Sequence, residues 1–268
     1  MYNINPVIDF FNFIYYHTFD NNHHCQYTEA EVGAIKTKIK VLSGAQLKYI
    51  AFLSMLIDHT NKALIYPNLN GGRLNTVSDI FDIIGRIAFP IFAFLLVEGF
   101  FKTRSRAKYL ATLLVFGVIS EVPFDLFTTK QFFEPNWNNI MFTLALVLVT
   151  IWMIDVLKKK MEKFPKILWF LLSFVILALM CLIAAILSLD YDYHAILIGY
   201  FYYIFHGKEL VAIPFNFLSM YKEPWALLGF GLVLTYNGER GKQNKLINYL
   251  FYPVHLLILG LLRIYLGI

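Results

Sequence analysis

The sequence predicts an all-α fold, a polytopic integral membrane bundle of about nine transmembrane helices. Hydrophobic residues make up 58% of the 268 residues and charged residues only 15%, whereas a soluble domain has roughly 25% charged residues. The apolar residues are spread over most of the chain, and the mean hydropathy is +0.58. The formal net charge of +5 comes largely from loop lysines and arginines, which set membrane topology, so we expect no nucleic-acid partner.

Nine apolar segments are candidates for membrane spans, because a helix needs about 20 residues to cross the hydrocarbon core. The sixth to eighth segments are short and could be tilted, broken or re-entrant, so the expected number of spans lies between eight and ten. The predicted spans are 47–66, 79–101, 107–127, 139–157, 166–187, 193–206, 209–219, 223–236 and 248–267.

Loop charges predict the orientation of these spans. If the N-terminus is cytoplasmic, every cytoplasmic segment contains lysine or arginine, and the outside loops hold only Arg73, Lys130 and Lys222. Cytoplasmic loops carry an excess of basic residues in membrane proteins. We therefore expect an inside N-terminus, an outside C-terminus and location in the cell (cytoplasmic) membrane.

Residues 1–45 differ in character from the membrane domain 46–268 and are predicted to be a cytosolic or interfacial extension. Residues 12–16 are aromatic enough to lie at the membrane interface. Residues 21–25 contain two histidines and a cysteine, but their spacing fits no strong zinc motif. A polar linker is the simpler interpretation, so we predict no metal site.

Asp58 and His59, inside the first predicted span, are the strongest functional signal. Ionisable groups at membrane depth are costly and indicate function by default. A neutral imidazole can accept and return a proton near neutral pH, so His59 is a candidate general base; the alternative is a histidine hydrogen-bonded between helices. Neighbouring residues point about 100° apart on a helix, so Asp58 is expected to pair elsewhere, for instance with Arg86 or Lys62.

The second and third spans add three ionisable residues. Arg86 keeps its charge and must meet an anion or water, which could be a neighbouring carboxylate or a substrate oxyanion. Glu121 precedes Pro123, which should kink the third helix, and a carboxylate beside such a kink favours function. Glu98 lies near the inner end of the second span, where an ion pair with the adjacent basic loop is the simpler explanation.

Other polar residues lie near the predicted membrane faces. Asn139 opens the fourth span. Tyr252 and His255 lie near the inner face of the last span, where His255 could contact a cytosolic ligand or bond a neighbouring helix. Asp190 and Asp192 lie at the outer mouth, where they could contact an extracytoplasmic substrate or simply solvate a loop.

Several ordered motifs between about residue 46 and residue 265 resemble the TraX family. They occur in the order of the family, which makes them more specific together than any one alone. They are IDH (57–59), GRIAFPIFAFLLVEG (85–99), TR (103–104), ISEVPFD (119–125), NIMFTL (139–144), YNGERG (236–241) and FYPVHL (251–256). Residues 1–45 match nothing in the family, and DYDYH at 190–194 replaces an Asp-Tyr-Gly-like segment.

The resemblance implies a transmembrane acyltransferase. The name-giving members are conjugal-transfer proteins linked to N-terminal acetylation of pilin. Better-known relatives in the wider group pass an acetyl group from cytosolic acetyl-CoA to an acceptor at the far face, using a histidine in an early span. By this resemblance His59 is the general base or acyl carrier, and Asp58, Glu121 and Arg86 support it.

The resemblance also implies where the donor and the acceptor bind. The phosphates of coenzyme A would meet the basic cytosolic loops. The expected donor-binding residues are Arg104, Arg240, Glu98, His255, Asn237 and Tyr252. The expected acceptor-binding residues are Asp125, Asn139 and Asp192. The acceptor would be a pilin N-terminus, a glycan or another envelope molecule, and a homodimer could form through a lipid-facing side.

A proton-coupled transporter or lipid flippase is the alternative function. Asp58, His59 and Glu121 would then form a proton relay, as in pumps. Transporters often contain inverted repeats, and the two halves of this sequence show no convincing similarity. A non-catalytic scaffold is a third interpretation, but it leaves the buried charges without a purpose.

Overall fold

The computed structural model describes residues 40–268, of which residues 42–268 form one compact unit. Within this described part the regular structure is helical, which confirms the prediction of a helical membrane protein. The predicted interfacial segment 12–16 and the His/Cys segment 21–25 lie outside the described residues.

The described residues form ten α-helices, numbered here in chain order. The last turn of α1 continues as a π-helical segment, Asn61–Ile65, and a 3₁₀ turn, Tyr66–Asn68. The helices are α1 Gly44–Thr60, α2 Arg73–Gly85, α3 Ala88–Lys102, α4 Arg106–Thr128, α5 Ile140–Lys160, α6 Lys166–Ile186, α7 Asp192–Ile204, α8 Glu209–Ser219, α9 Ala226–Val233 and α10 Lys245–Leu266.

Five helical segments in the described part are long and apolar enough to cross a membrane. They are Arg73–Lys102, Arg106–Thr128, Ile140–Lys160, Lys166–Ile186 and Leu246–Leu266. The other four predicted spans also coincide with helices, but these helices are shorter. The number of nine spans and their orientation therefore stay predictions.

Polar side chains fix several helix starts. Ser43 forms a capping box with Gln46 at the start of α1, so two of the free backbone N–H groups there find acceptors. Asn139 accepts from the N–H of Met141 at the start of α5, and Asn244 caps α10 in the same way. Such caps stabilise a helix by roughly 0.5–2 kcal/mol, and they set where the loops end.

Helix α3 is the central element of the bundle. It packs against α1, α7 and α9, while α10 packs mainly along α4. Ile91, Val97 and Phe100 on α3 are fully or almost fully buried. Since α3 carries most of the longest TraX-like motif, this motif serves the core as well as any site.

The loops contact one another in two groups, one at each end of the bundle. At the first end, Leu42 exchanges backbone hydrogen bonds with the chain around Tyr236, Lys102 bonds the Gly238 carbonyl, and His206 meets Glu98. We call this the basic end, because the basic loops after α3 and α9 lie there.

The opposite end gathers the remaining loops. The N–H of Asn138 donates to the Ser188 carbonyl, and His194 meets the carbonyl of Ser219. Successive helices therefore run from one end to the other, with α2 and α3 together making one passage.

Candidate functional site

The candidate site is centred on two histidines in contact, His59 on α1 and His255 on α10. His59 Nδ1 and His255 Nε2 are 2.8 Å apart, and the two ring planes differ by 2°. His255 Nδ1 lies 2.6 Å from the Phe251 carbonyl oxygen. The π-helical segment begins two residues after His59, and such segments are frequent at functional sites. This contact joins α1 to α10 and is the alternative considered for both histidines, a hydrogen bond between helices. The sequence did not predict that the two histidines are each other's partners.

Asp58 faces away from the histidine contact and pairs with two cations. Its Oδ2 is 2.7 Å from Lys62 Nζ and its Oδ1 is 3.8 Å from Arg86 Nη2, which agrees with the expected pairing. His59 Nε2 is 3.9 Å from Asp58 Oδ2, too far for a hydrogen bond but close enough for the carboxylate to stabilise a positive charge on the ring.

Arg86 lies between α2 and α3 and meets three carboxylates. It bonds Asp82 one turn earlier, reaches Asp58, and lies 3.4 Å from Glu223 at the opposite end of the bundle. Of the two partners considered for this arginine, the structure gives it carboxylates. The Arg86 guanidinium is too far from Asp58 Oδ1 for a hydrogen bond, but its positive charge attracts the carboxylate.

The loop before α7 forms another side of the site. Asp190 interacts electrostatically with Lys62, Asp58 and Arg86, and burial raises the pKa of Asp190 from 3.8 to about 6. Tyr191 adopts a left-handed backbone conformation with φ 62°, which is strained for a non-glycine residue and occurs often at functional sites. The Tyr191 ring stacks on Phe89 at 3.8 Å between centroids.

The structure places Asp190 next to the charged residues of the site, while Asp192 stays a predicted acceptor-binding residue. Asp192 begins α7, also with positive φ, and interacts electrostatically with Cys181. The sequence indicated this region, because DYDYH at 190–194 differs from the family pattern. It did not indicate which of the two aspartates faces the site.

Glu121, which is predicted to orient or charge-balance the His59 imidazole, makes its hydrogen bond to a different side chain in the described part of the protein. The Glu121 carboxylate accepts a hydrogen bond from Asn139, whose amide also donates to the Gly117 carbonyl at 2.9 Å. His59 Nδ1 is already occupied by His255. Glu121 and Asn139 thus join α4 to α5.

Asp125 also serves the connection between α4 and α5. It is almost fully buried, and its Oδ2 accepts from the backbone N–H of Glu134 at 2.9 Å. Asp125 and Asn139 are predicted to bind the acceptor, and in the structure both form hydrogen bonds with the backbone of this connection.

Tyr252 is predicted to bind the donor, and its side chain is buried inside the protein. It is 3% exposed and interacts electrostatically with Asp190, Glu121 and Tyr191. Its ring also lies beside that of His255. Tyr252 therefore lies between the histidine pair and the carboxylates of α4 and the α7 loop.

The other expected donor-binding residues do lie at the basic end. Glu98 is buried and pairs with Lys102 and His206, each at 2.7 Å, so the simpler explanation of a helix-end ion pair holds. Asn237 accepts from the N–H of Glu239. Arg104 and Arg240 are exposed, which leaves their guanidinium groups accessible to a ligand.

A sequence profile of the TraX protein family matches residues 43–263. The chain belongs to the TraX family. The match includes both histidines and every charged residue around Arg86, so the resemblance seen in the motifs is confirmed. One relative is the probable fimbrial assembly protein FimC, serogroup H1, of Dichelobacter nodosus, which is 29% identical over 240 residues, covering 81% of this chain and 94% of that protein. No solved structure matches this TraX-family chain.

Proposed function

We propose that this TraX-family protein is a transmembrane acyltransferase that moves an acetyl or other acyl group from cytosolic acetyl-CoA to an acceptor at the extracytoplasmic side. The observation that carries this proposal is the contact of His59 with His255 inside an apolar bundle, next to Asp58 and Arg86. A buried base flanked by fixed charges suits proton transfer from a nucleophile.

The orientation of the chain supports a donor site at the basic end. We infer nine spans in the cell membrane, with the N-terminus inside, because successive helices alternate between the two ends and the basic loops share one of them. Arg104 and Arg240 at this end would bind the phosphates of coenzyme A, since guanidinium groups match phosphate geometry.

The reaction needs one base and one positioned carboxylate. The acceptor amine or hydroxyl attacks the thioester carbonyl, and its proton moves to His59. The carbon–sulfur bond then breaks, the thiolate takes up that proton to give free coenzyme A, and the acceptor leaves as an amide or ester. Asp58, held by Lys62 and Arg86, stabilises the imidazolium that forms in between. Alternatively His59 carries the acyl group itself.

The family and the relative suggest where the acceptor is found. The curated relative has a fimbrial assembly name, and the TraX resemblance implies acetylation of pilin. A pilin N-terminus, a glycan or another envelope molecule would reach His59 from the opposite end of the bundle, past Asp190 and Glu223. The negative charge of these carboxylates favours an uncharged or cationic acceptor over an anionic one.

The proposal is tested with inverted membrane vesicles that expose the basic end to the medium. With radiolabelled acetyl-CoA outside, we expect label in an acceptor inside the vesicles, and His59→Ala should reduce this transfer by about 10²–10⁴-fold, the usual contribution of a general base. His194→Ala is the matched control, because the His194 ring bonds the Ser219 carbonyl and packs on Tyr193, away from the histidine pair. Equal labelling by the wild-type protein and His59→Ala would contradict the proposal.

The same vesicles test the transporter or flippase alternative. A proton relay through Asp58, His59 and Glu121 would move protons or lipid without releasing coenzyme A thiol. The hydrogen bond of Glu121 with Asn139 ties Glu121 to the joint of α4 and α5, which weakens this relay. Thiol release that depends on acetyl-CoA favours the transferase.

A further inference from the structure

His255 has a defined hydrogen position, because its Nδ1 faces a group that can only accept. The Phe251 carbonyl oxygen is 2.6 Å from His255 Nδ1, and a carbonyl has no hydrogen to donate. His255 Nδ1 therefore carries the hydrogen of this bond.

The other ring nitrogen of His255 is an acceptor. The His255 side chain is 6% exposed and packs between the rings of Phe251 and Tyr252. Among the described residues no carboxylate lies within ion-pair distance of it, and a buried charge without a partner is costly. A neutral His255 with hydrogen on Nδ1 has a lone pair on Nε2.

These two facts fix the hydrogen on His59 as well. His255 Nε2 is 2.8 Å from His59 Nδ1, and an acceptor on one side requires a donor on the other. His59 thus has its hydrogen on Nδ1 and a lone pair on Nε2. This Nε2 lies on the side of Asp58, 3.9 Å from Oδ2, and so faces the charged half of the site.

We propose that His255 is a positioning residue, which holds His59 in the tautomer that leaves Nε2 free to take the proton of the acceptor. The Phe251 carbonyl orients His255, and His255 orients His59. The inference rests on the proposed acyl transfer for its purpose, but the tautomer can be observed without any activity. In serine proteases, a partner that imposes the wrong histidine tautomer lowers kcat by about 10⁴.

Two variants separate the hydrogen bond from the shape of His255. In His255→Gln the amide can donate to the Phe251 carbonyl and accept from His59 Nδ1. In His255→Phe the ring can still stack on Phe251, but the acceptor is lost. A purely structural role for His255 would be served at least as well by phenylalanine as by glutamine.

Nitrogen-15 NMR of the full-length protein in lipid bilayers measures the tautomer directly. The His59 signals are those that disappear in His59→Gln. We expect a protonated Nδ1 and an unprotonated Nε2 for His59 in the wild-type protein and in His255→Gln, and loss of this fixed pattern in His255→Phe. Hydrogen on His59 Nε2 in the wild-type protein would overturn the proposal.

Turnover of acetyl-CoA supplies the second readout. We expect kcat of His255→Phe to fall by about 10²–10⁴-fold with little change in KM for acetyl-CoA, and His255→Gln to stay within about tenfold of the wild-type kcat. If phenylalanine restores kcat better than glutamine, the positioning role is wrong. If the wild-type protein transfers no acyl group, the proposed function fails, while the NMR result still decides the tautomer. If His255→Phe does not fold, the wild-type spectrum and His255→Gln decide alone.

Discussion

Gly85 is a residue at which α2 passes close to the Asp58 carboxylate. A methyl group at this position would overlap Asp58, so only glycine allows the contact. The ion pair between Asp58 and Arg86 depends on this approach, because Arg86 follows Gly85 directly in the chain.

Gly85→Ala should therefore displace Asp58 and impair the site. Overpacking of this kind costs about 1–3 kcal/mol of stability, and we expect at least a tenfold loss of acetyl-CoA turnover. Gly231→Ala is the control, since a methyl group there meets no atom within 4 Å. Thermal unfolding and turnover of both variants are measured; equal behaviour of the two would show that Asp58 needs no close approach to α2.

Asp190 gives the site a pH dependence that can be predicted in sign. Burial raises the pKa of its carboxyl from 3.8 to about 6, so the folded state binds this proton more tightly than the unfolded state. The contribution of Asp190 to stability is then greatest below about pH 4 and is lost as the pH rises to about 6.

Asp190→Asn removes this titration. The variant should unfold at a higher temperature than the wild-type protein at pH 7, and the difference should vanish near pH 4. Thermal unfolding midpoints measured between pH 4 and pH 8 test this difference. Glu134→Gln is the control, because Glu134 is a carboxylate in an exposed loop at the same end of the bundle. If the unfolding midpoints of the wild-type protein and Asp190→Asn differed by the same amount at every pH, the raised pKa of Asp190 would be contradicted.

Sequence predicted some of these residue contacts and missed others for a physical reason. The pairing of Asp58 with Lys62 follows from their four-residue spacing on one helix, and Asp82 could have been found for Arg86 in the same way. Glu223 and His255 are far from their partners in the chain, so no local pattern indicates the contacts.

The break between α2 and α3 is the clearest feature at the scale of elements. Sequence predicted one continuous span over 79–101, but α2 ends at Gly85 and α3 begins at Ala88. Pro90 lies in the first turn of α3, where its missing N–H costs nothing. Pro90 is a sequence signal for a helix start at this point. The span was predicted as continuous because hydropathy counts apolar residues and does not register helix starts.

The joint between α4 and α5 depends on Asn139. Its side chain caps α5, donates to the Gly117 carbonyl, and bonds Glu121. Asn139→Ala should destabilise the protein by about 1–3 kcal/mol, because the variant loses a cap and leaves buried acceptors unpaired.

Asn136→Ala is the matched control for this joint, since Asn136 lies in the same loop, is exposed, and within residues 40–268 bonds Glu134 alone. Thermal unfolding of the two variants is compared in one detergent. Equal midpoints for Asn139→Ala and the wild-type protein would show that the three hydrogen bonds do not stabilise the joint.

At the scale of the whole molecule, charge predicts the orientation. The basic loops lie at one end of the bundle, and the positive-inside rule predicts that this end is cytoplasmic. Composition alone predicted a helical membrane protein, because 58% hydrophobic residues are difficult to reconcile with a soluble chain. The number of spans could not be fixed in this way, since α7, α8 and α9 are too short for their hydropathy to decide.

A reporter at the C-terminus tests this orientation. With nine spans and an inside N-terminus, a fused alkaline phosphatase should be active outside and a fused green fluorescent protein should stay dark. A second fusion after residue 163, in the loop between α5 and α6, should give the reverse pattern. A fluorescent C-terminal fusion would contradict the predicted orientation. The position of the histidine pair relative to the two membrane faces would then be the reverse of the one proposed.

The most direct test of the central claim, acyl transfer by His59, is acetyl-CoA turnover by the purified protein. Release of coenzyme A thiol is measured with an added amine or hydroxyl acceptor for the wild-type protein, His59→Ala and the control His194→Ala. We predict thiol release by the wild-type protein and by His194→Ala, and a loss of about 10²–10⁴-fold in His59→Ala. Full activity of a folded His59→Ala protein would contradict the account.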